Sequence, residues 1–121
     1  MSNALHALRN IVASQKSVCD KFGVDFFPPK DCEKIGIAIE TIGKMPINGM
    51  RINPENGTCG WYIWCGEELS EDPDFYKPLH VSHINKYLPE IEKYLALPSG
   101  YRFLVAGDYE DVWQDPLLNS M

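Results

Sequence analysis

With 121 residues, 45% of them apolar and 12% aromatic, the chain has apolar mass for one core and too little for two, so a single domain is expected. Seventeen acidic against eleven basic residues leave a formal charge of -6. That balance repels phosphate backbones and anionic membrane surfaces, which sets aside nucleic acid and membrane as expected partners; it suits a basic protein surface or serves solubility alone.

Residues 4–22 carry Leu5, Leu8, Val12, Cys19 and Phe22 on one stripe, widened by Ile11 and Val18, while Arg9, Gln15 and Lys16 are expected to face away; the pattern predicts an amphipathic helix. Its apolar positions are interrupted by His6, Arg9, Asn10, Gln15 and Lys16, so no secretory signal is expected. No apolar run approaches the roughly 20 residues that cross a bilayer, and a cytoplasmic location is the expectation. Gly23 stops the helix and Pro28-Pro29 prevents its resumption. Val24 to Phe27 reads as a short extended or irregular packing piece.

Ile35 to Ile42 alternates β-branched with small or polar residues, as a strand with one buried face does. Between Gly43 and Pro54 the chain is punctuated by Pro46, Asn48-Gly49 and Asn53-Pro54, and the Asn48-Gly49 pair is compatible with a tight hairpin turn or an ordered loop. Cys59 to Cys65, containing Trp61, Tyr62, Ile63 and Trp64, is the strongest strand signal. Both of its alternating faces are apolar, which predicts a central strand with Trp61 and Trp64 buried on opposite sides. The helix at 4–22 can cover one side and a later helix the other, or part of the sheet can stay open to a partner.

Gly66 to Pro78 reads as an acidic loop. His83 to Leu88 suits a turn or short helix capped by Ser82, and Pro89 opens a second helix with Ile91, Tyr94 and Leu95 on one stripe. Pro98-Ser99-Gly100 closes it, Tyr101 to Ala106 reads as a strand, and Gly107-Asp108 turns the chain into Tyr109 to Trp113. Without repeated strand-helix-strand units, the order predicts a small α+β domain: a mostly antiparallel sheet packed against an N-terminal helix and a second helix.

Catalytic and metal chemistry find little support. His80 and His83 share a helical face at i,i+3 and can offer zinc two nitrogens, but only Asp72, Asp74 or a cysteine is near enough in sequence to complete a set. Cys19, Cys32, Cys59 and Cys65 form no C-x-x-C pair. Cys59 and Cys65, on one strand, would stand about 20 Å apart, far beyond the about 6 Å of a disulfide, so four free thiols are expected. No cysteine is singled out for pairing with His6, His80 or His83 as a nucleophile, and the glycines spell no phosphate-cradling loop. Neither a catalytic residue, a cofactor nor a metal is expected. The carboxylates fit a solvated surface or a docking role better than catalysis; the docking set is Glu67, Glu68, Glu71, Asp72 and Asp74, joined by Asp108, Glu110 and Asp111 if both loops leave the sheet at one end, with Phe75, Tyr76 and Tyr109 as apolar anchors.

Gly60-Trp61, Gly66-Glu67-Glu68, Asp72-Pro73-Asp74-Phe75-Tyr76, Pro89-x-Ile91-x-x-Tyr94-Leu95, Leu97-Pro98-x-Gly100-x-x-Phe103 and Asp111-x-Trp113 together resemble the Imm33 immunity-protein family, formerly a domain of unknown function. The resemblance covers roughly residues 35–116. It divides the one compact domain into an N-terminal helix and connecting segment at 1–34 and an Imm33-like α+β core at 35–121. It implies a bacterial immunity protein that binds and neutralises a cognate toxin by protein–protein contact. A monomer or weak dimer that folds without metal is expected separately, because the apolar residues suffice for a core and no metal-ligand set is complete. A small cytoplasmic adaptor or structural interaction domain is the alternative reading. A small enzyme or ligand-binding protein using the carboxylate cluster is the second alternative.

Overall fold

The computed structural model describes the backbone of residues 2–120 and the side chains of residues 10–118. Helix α1 runs Ser2–Phe22. Val18 and Cys19 are buried, with Phe22 packed beside them; the side chains of Leu5, Leu8 and Arg9 lie outside the described residues. Gln15 corrects one expectation. It does not face solvent but is 6% exposed, because its Nε2 donates to the Glu92 carbonyl at 3.1 Å and so meets the cost of burying an amide. The helix closes at Gly23, whose φ of 68° lets the Val24 N–H donate back to the Cys19 carbonyl at 3.0 Å.

Six strands follow: β1 Lys34–Ile37, β2 Ile47–Arg51, β3 Thr58–Cys65, β4 Lys77–His80, β5 Tyr101–Ala106 and β6 Tyr109–Gln114, in the sheet order β4-β1-β3-β2-β5-β6. β1 pairs with β3 in parallel and every other pairing is antiparallel. The expected α+β class with an antiparallel-dominated sheet is what forms. β3 is central, Trp61 and Trp64 point to opposite faces, and they are 1% and 5% exposed.

Three local expectations are corrected. Asn48-Gly49 makes no turn; it lies inside β2. Phe103 crosses Gly49 so closely that a Cβ there would sit 2.1 Å from the ring, and glycine is present for that approach, not for chain reversal. β1 stops at Ile37 and residues 39–41 form a 3₁₀ turn. The second helix, expected from Pro89, is a 3₁₀ helix, Pro89–Tyr94, and the turn or short helix expected before it is another, Val81–Lys86. Buried Leu88, Ile91, Tyr94 and Leu97 recur every third residue, which is the period of a 3₁₀ helix and not of an α-helix. These two elements and α1 pack on the same sheet face, around Ile35, Ile37, Ile63, Trp61 and Phe103. The arrangement with one helix on each side does not occur.

Arg51 is the most unusual core residue, 1% exposed. Its Nε donates to the Cys59 carbonyl at 2.9 Å, and its Nη1 to the carbonyls of Phe27, Leu95 and Leu97 at 2.5, 3.1 and 2.8 Å. The guanidinium also lies 4.6 Å from the Phe27 ring centroid and 5.7 Å from that of Trp61. Desolvation lowers its pKa, partly countered by Cys59 and Glu33. At Gly60, φ is 93° and a Cβ would meet the Ile52 carbonyl oxygen at 2.1 Å, so glycine is required where β3 enters this knot.

Arg51→Met should therefore destabilise the fold by about 3 kcal/mol in urea unfolding. Each orphaned carbonyl costs on the order of 1–3 kcal/mol, and removing a desolvated cation recovers part of the total. Arg51→Lys should do no better than methionine, because an ammonium lacks the planar fork that reaches four acceptors; a lysine variant as stable as wild type would contradict this account.

Candidate partner-binding surface

Strand register decides where the carboxylates go. Cys65 pairs with Ile47, Ile47 with Val105 and Val105 with Glu110, so these four residues form one row across the sheet. β3 ends at this row and β5 one residue beyond it. The chain leaves them through Gly66-Glu67 and Gly107-Asp108 at the same sheet end, with β2 between, roughly 10 Å apart at about 4.8 Å per strand spacing.

Glu67, Glu68 and Phe75 border one recess there, of about 590 Å³, together with Lys44, Met45 and Leu69. Met45 and Leu69 are 55% and 51% exposed; as isolated apolar residues in loops, they gave no periodic signal in the sequence. Glu71, Asp72 and Asp74 are exposed, yet their loop is ordered by its own bonds. The Asp74 N–H donates to Asp72 Oδ1 at 2.9 Å, the Asp72 N–H to Ser70 Oγ at 3.1 Å and the Phe75 N–H to the Asp72 carbonyl at 3.0 Å. Phe75 stands edge-on to Tyr76, centroids 4.9 Å apart, and Tyr76 to Tyr62, 5.0 Å apart. The Tyr76 hydroxyl is buried without a hydrogen-bond partner among the described residues, and desolvation pushes its pKa up to about 12.

β6 divides its candidates by alternation. Glu110 turns to the helix side, where it accepts from Lys21 Nζ and the Tyr94 hydroxyl. These two donors hold its carboxyl below the usual range, and burial followed by Glu110 pushes the Tyr94 phenol up. Tyr109 and Asp111 fall on the other face with Trp113. Asp108, Tyr109 and Glu110 border a second hollow of about 300 Å³. The acidic set is thus two groups on one sheet end, and Glu110 is committed to an internal contact.

The face of the sheet opposite the main core is rich in aromatic residues. The Arg102 guanidinium lies 5.9 Å from Trp64 and 5.8 Å from Trp113, and donates to Asp115 at 3.1 Å. Reading Trp61 and Trp64 chiefly as core residues passed over this row and Trp113. The alternation Tyr109, Asp111, Trp113 is the signal that marks it.

The cysteines are free thiols; Cys32 is exposed and the other three are buried. Burial, followed by Asp20 and Asp25, pushes the Cys19 thiol up, and burial is also the largest cause of the upward shifts at Cys59 and Cys65. None of those three is set up as a thiolate nucleophile. His80 and His83 meet edge-on at 5.8 Å, and among the described residues no group of three or more His, Cys, Asp or Glu is arranged to hold a metal ion. No described helix is long and apolar enough to cross a membrane.

A family model described as the Imm33-like domain matches residues 14–115, most of the chain and all six strands. The chain belongs to the Imm33-like family. Membership suggests an immunity-protein role in general. The match begins twenty-one positions before the part that resembles Imm33 by motif, and the structure explains why an Imm33-like core includes that stretch. Cys19 Sγ and the Phe27 N–H both donate to the Ala96 carbonyl, at 3.5 and 2.8 Å, and Arg51 holds the Phe27 carbonyl. No curated protein and no solved structure matches the chain.

The Glu110 contact yields a pH prediction. Its pKa is lower folded than the about 4.3 of an unconstrained glutamate, so its stabilisation is complete above that value and is lost as pH falls through the folded one. Glu110→Gln should be less stable than wild type at neutral pH, by no more than about 1 kcal/mol because Lys21 is largely exposed. The two proteins should converge in acid; a gap that persists or widens there would remove the ionised carboxylate as its source.

Proposed function

We propose that this protein is a bacterial immunity protein that acts in the cytoplasm by binding a cognate toxin with a basic surface and covering it. Membership of the Imm33-like family over residues 14–115 carries the reading. The two acidic segments add the mechanism. Glu67, Glu68, Glu71, Asp72 and Asp74 stand on the loop that leaves β3, and Asp108 and Asp111 stand in the turn after β5 and on β6, at the same sheet end with β2 between. Their summed field accelerates encounter with a cationic partner. Phe75 and Tyr109 supply apolar contact once the partner is seated.

Occlusion needs no turnover and no cofactor, only an interface that closes before the toxin finds its target. Electrostatic steering suits that demand because it raises the association rate, and it makes that rate fall as salt screens the charges. Monomer or weak dimer is the state proposed for the free protein.

The test is co-expression with the toxin candidate encoded beside this gene, scored for growth rescue and for a stable complex. Stopped-flow association at several salt concentrations follows. Glu68→Gln, Asp72→Asn and Asp74→Asn combined should associate more slowly, by on the order of tenfold at low salt, with a shallower salt slope. The unfolding midpoint should stay unchanged, because solvated loop charges contribute little to stability. Equal rates and equal slopes would remove the 67–74 loop from the interface, and absence of rescue by the wild type would remove the immunity reading itself.

A further inference from the structure

The two edges of the sheet differ in a way that bears on how a partner attaches. β4 is a four-residue edge strand whose second residue is Pro78 and whose first is Lys77; shortness, proline and lysine are the devices that prevent an edge from accepting another strand. β6 is six residues long and contains no proline, glycine or lysine. All six of its residues are in register with β5, from Tyr109 opposite Ala106 to Gln114 opposite Tyr101. Among the described residues, no backbone group of residues 109–114 bonds to anything beyond β5. Its outward N–H and C=O groups form an open row.

The side chains beside that row carry a charge signature. Asp111 stands between Tyr109, 58% exposed, and Trp113, 36% exposed, on one face of the strand. Of the carboxylates in and around β6, Glu110 is engaged by Lys21 and Asp115 by Arg102. Asp108 and Asp111 have no ion pair or hydrogen bond among the described residues. β6 has no basic residue. Two copies paired through β6 about a twofold axis would therefore set acidic strand against acidic strand, which disfavours self-association at this edge.

We infer that the open edge of β6 receives an extended basic segment of the toxin as a seventh strand, so that the acidic surface works by strand addition and not by side-chain contact alone. The inference rests on the immunity reading. Backbone pairing supplies the attachment, and alternate side chains of the incoming segment supply selectivity. A lysine or arginine falls opposite Asp111. Residues two positions to either side lie over Tyr109 and Trp113; the exposed Tyr109 ring can take a cation, and Trp113, which already carries Arg102, an aliphatic stem. Asp108, at the turn before β6, extends the same attraction by one strand position.

The experiment uses the full chain and the inactivated toxin identified by growth rescue. Amide exchange is followed residue by residue with the chain free and in complex, and affinity is measured for wild type and Asp111→Lys. In the complex, amides within 109–114 that exchange fast in the free protein should slow by on the order of tenfold or more. Asp111→Lys should weaken binding by on the order of tenfold while keeping the wild-type unfolding midpoint. A tight complex in which β6 exchange is unchanged and Asp111→Lys binds as wild type overturns strand addition and leaves the immunity reading intact. Failure of the wild type to bind any rescuing toxin overturns both. Protection of β6 in the free protein that grows with concentration assigns the edge to a second copy and also overturns the inference.

Discussion

A guanidinium buried without a carboxylate beside it holds the two irregular parts of this chain to the sheet. Arg51 satisfies carbonyls from the segment after α1, from the start of β3 and from the end of the second 3₁₀ helix. The Phe27 and Leu97 carbonyls lie outside the regular elements, and leaving such groups buried and unpaired would cost more than most single contacts return. A carboxylate partner would have satisfied the charge but left those acceptors empty. Four neutral acceptors and two aromatic faces distribute the charge instead, and Trp61 Nε1, donating to the Leu95 carbonyl at 2.8 Å, completes the knot. The N-terminal segment is therefore part of the core. That agrees with a family domain that begins within α1.

The knot and the acidic surface lie at opposite ends of the same strands. Arg51 pairs with Trp61 and Ile47 with Cys65, so four residues of β2, about 13 Å at roughly 3.3 Å per residue, separate them. Sites that far apart with no shared partner contribute nearly independently. Charge at the loop end can therefore vary from one partner to another without loosening the core that positions it. The helices reinforce this division by crowding onto one face. The other face keeps Arg102 between Trp64 and Trp113, its charge met by Asp115, an aromatic floor beside the open edge.

Much of this architecture was legible in the residues and some was not. β3 was readable because aromatic and β-branched residues filled both of its alternating faces, and the opposite burial of Trp61 and Trp64 follows from period two alone. The last two strands were readable from their turn residues. Asn48-Gly49 misled because a turn motif and a close-packing glycine are identical in sequence; only the ring of Phe103, fifty-four residues later, distinguishes them. Gln15 misled because its partner is a backbone carbonyl, which has no residue signature. The three-residue spacing from Leu88 to Leu97 was present and pointed to 3₁₀ geometry, but a stripe through Ile91, Tyr94 and Leu95 also fits an α-helix. For the surface, composition marked the carboxylates and could not say that Glu110 is held inward while Asp111 is free. That distinction is strand parity, and it needs the register.

For the proposed interface, order within the acidic loop bears on affinity alongside charge. A mobile polyacidic loop attracts cations but must be immobilised on contact, at about 0.5–1.5 kcal/mol for each rotamer-rich side chain ordered. Here the backbone from Ser70 to Phe75 is already folded on itself through Asp72, and its far end is anchored where Phe75 meets Tyr76 edge-on and Tyr76 meets Tyr62 edge-on. The Asp72 carboxylate and the backbone at Asp74 are therefore held before a partner arrives, and less ordering entropy remains to be lost. The same logic applies at β6, where pairing with β5 along its whole length holds the outward backbone groups in the geometry that an added strand requires. Both surfaces are thus preorganised by contacts that stand in the free protein.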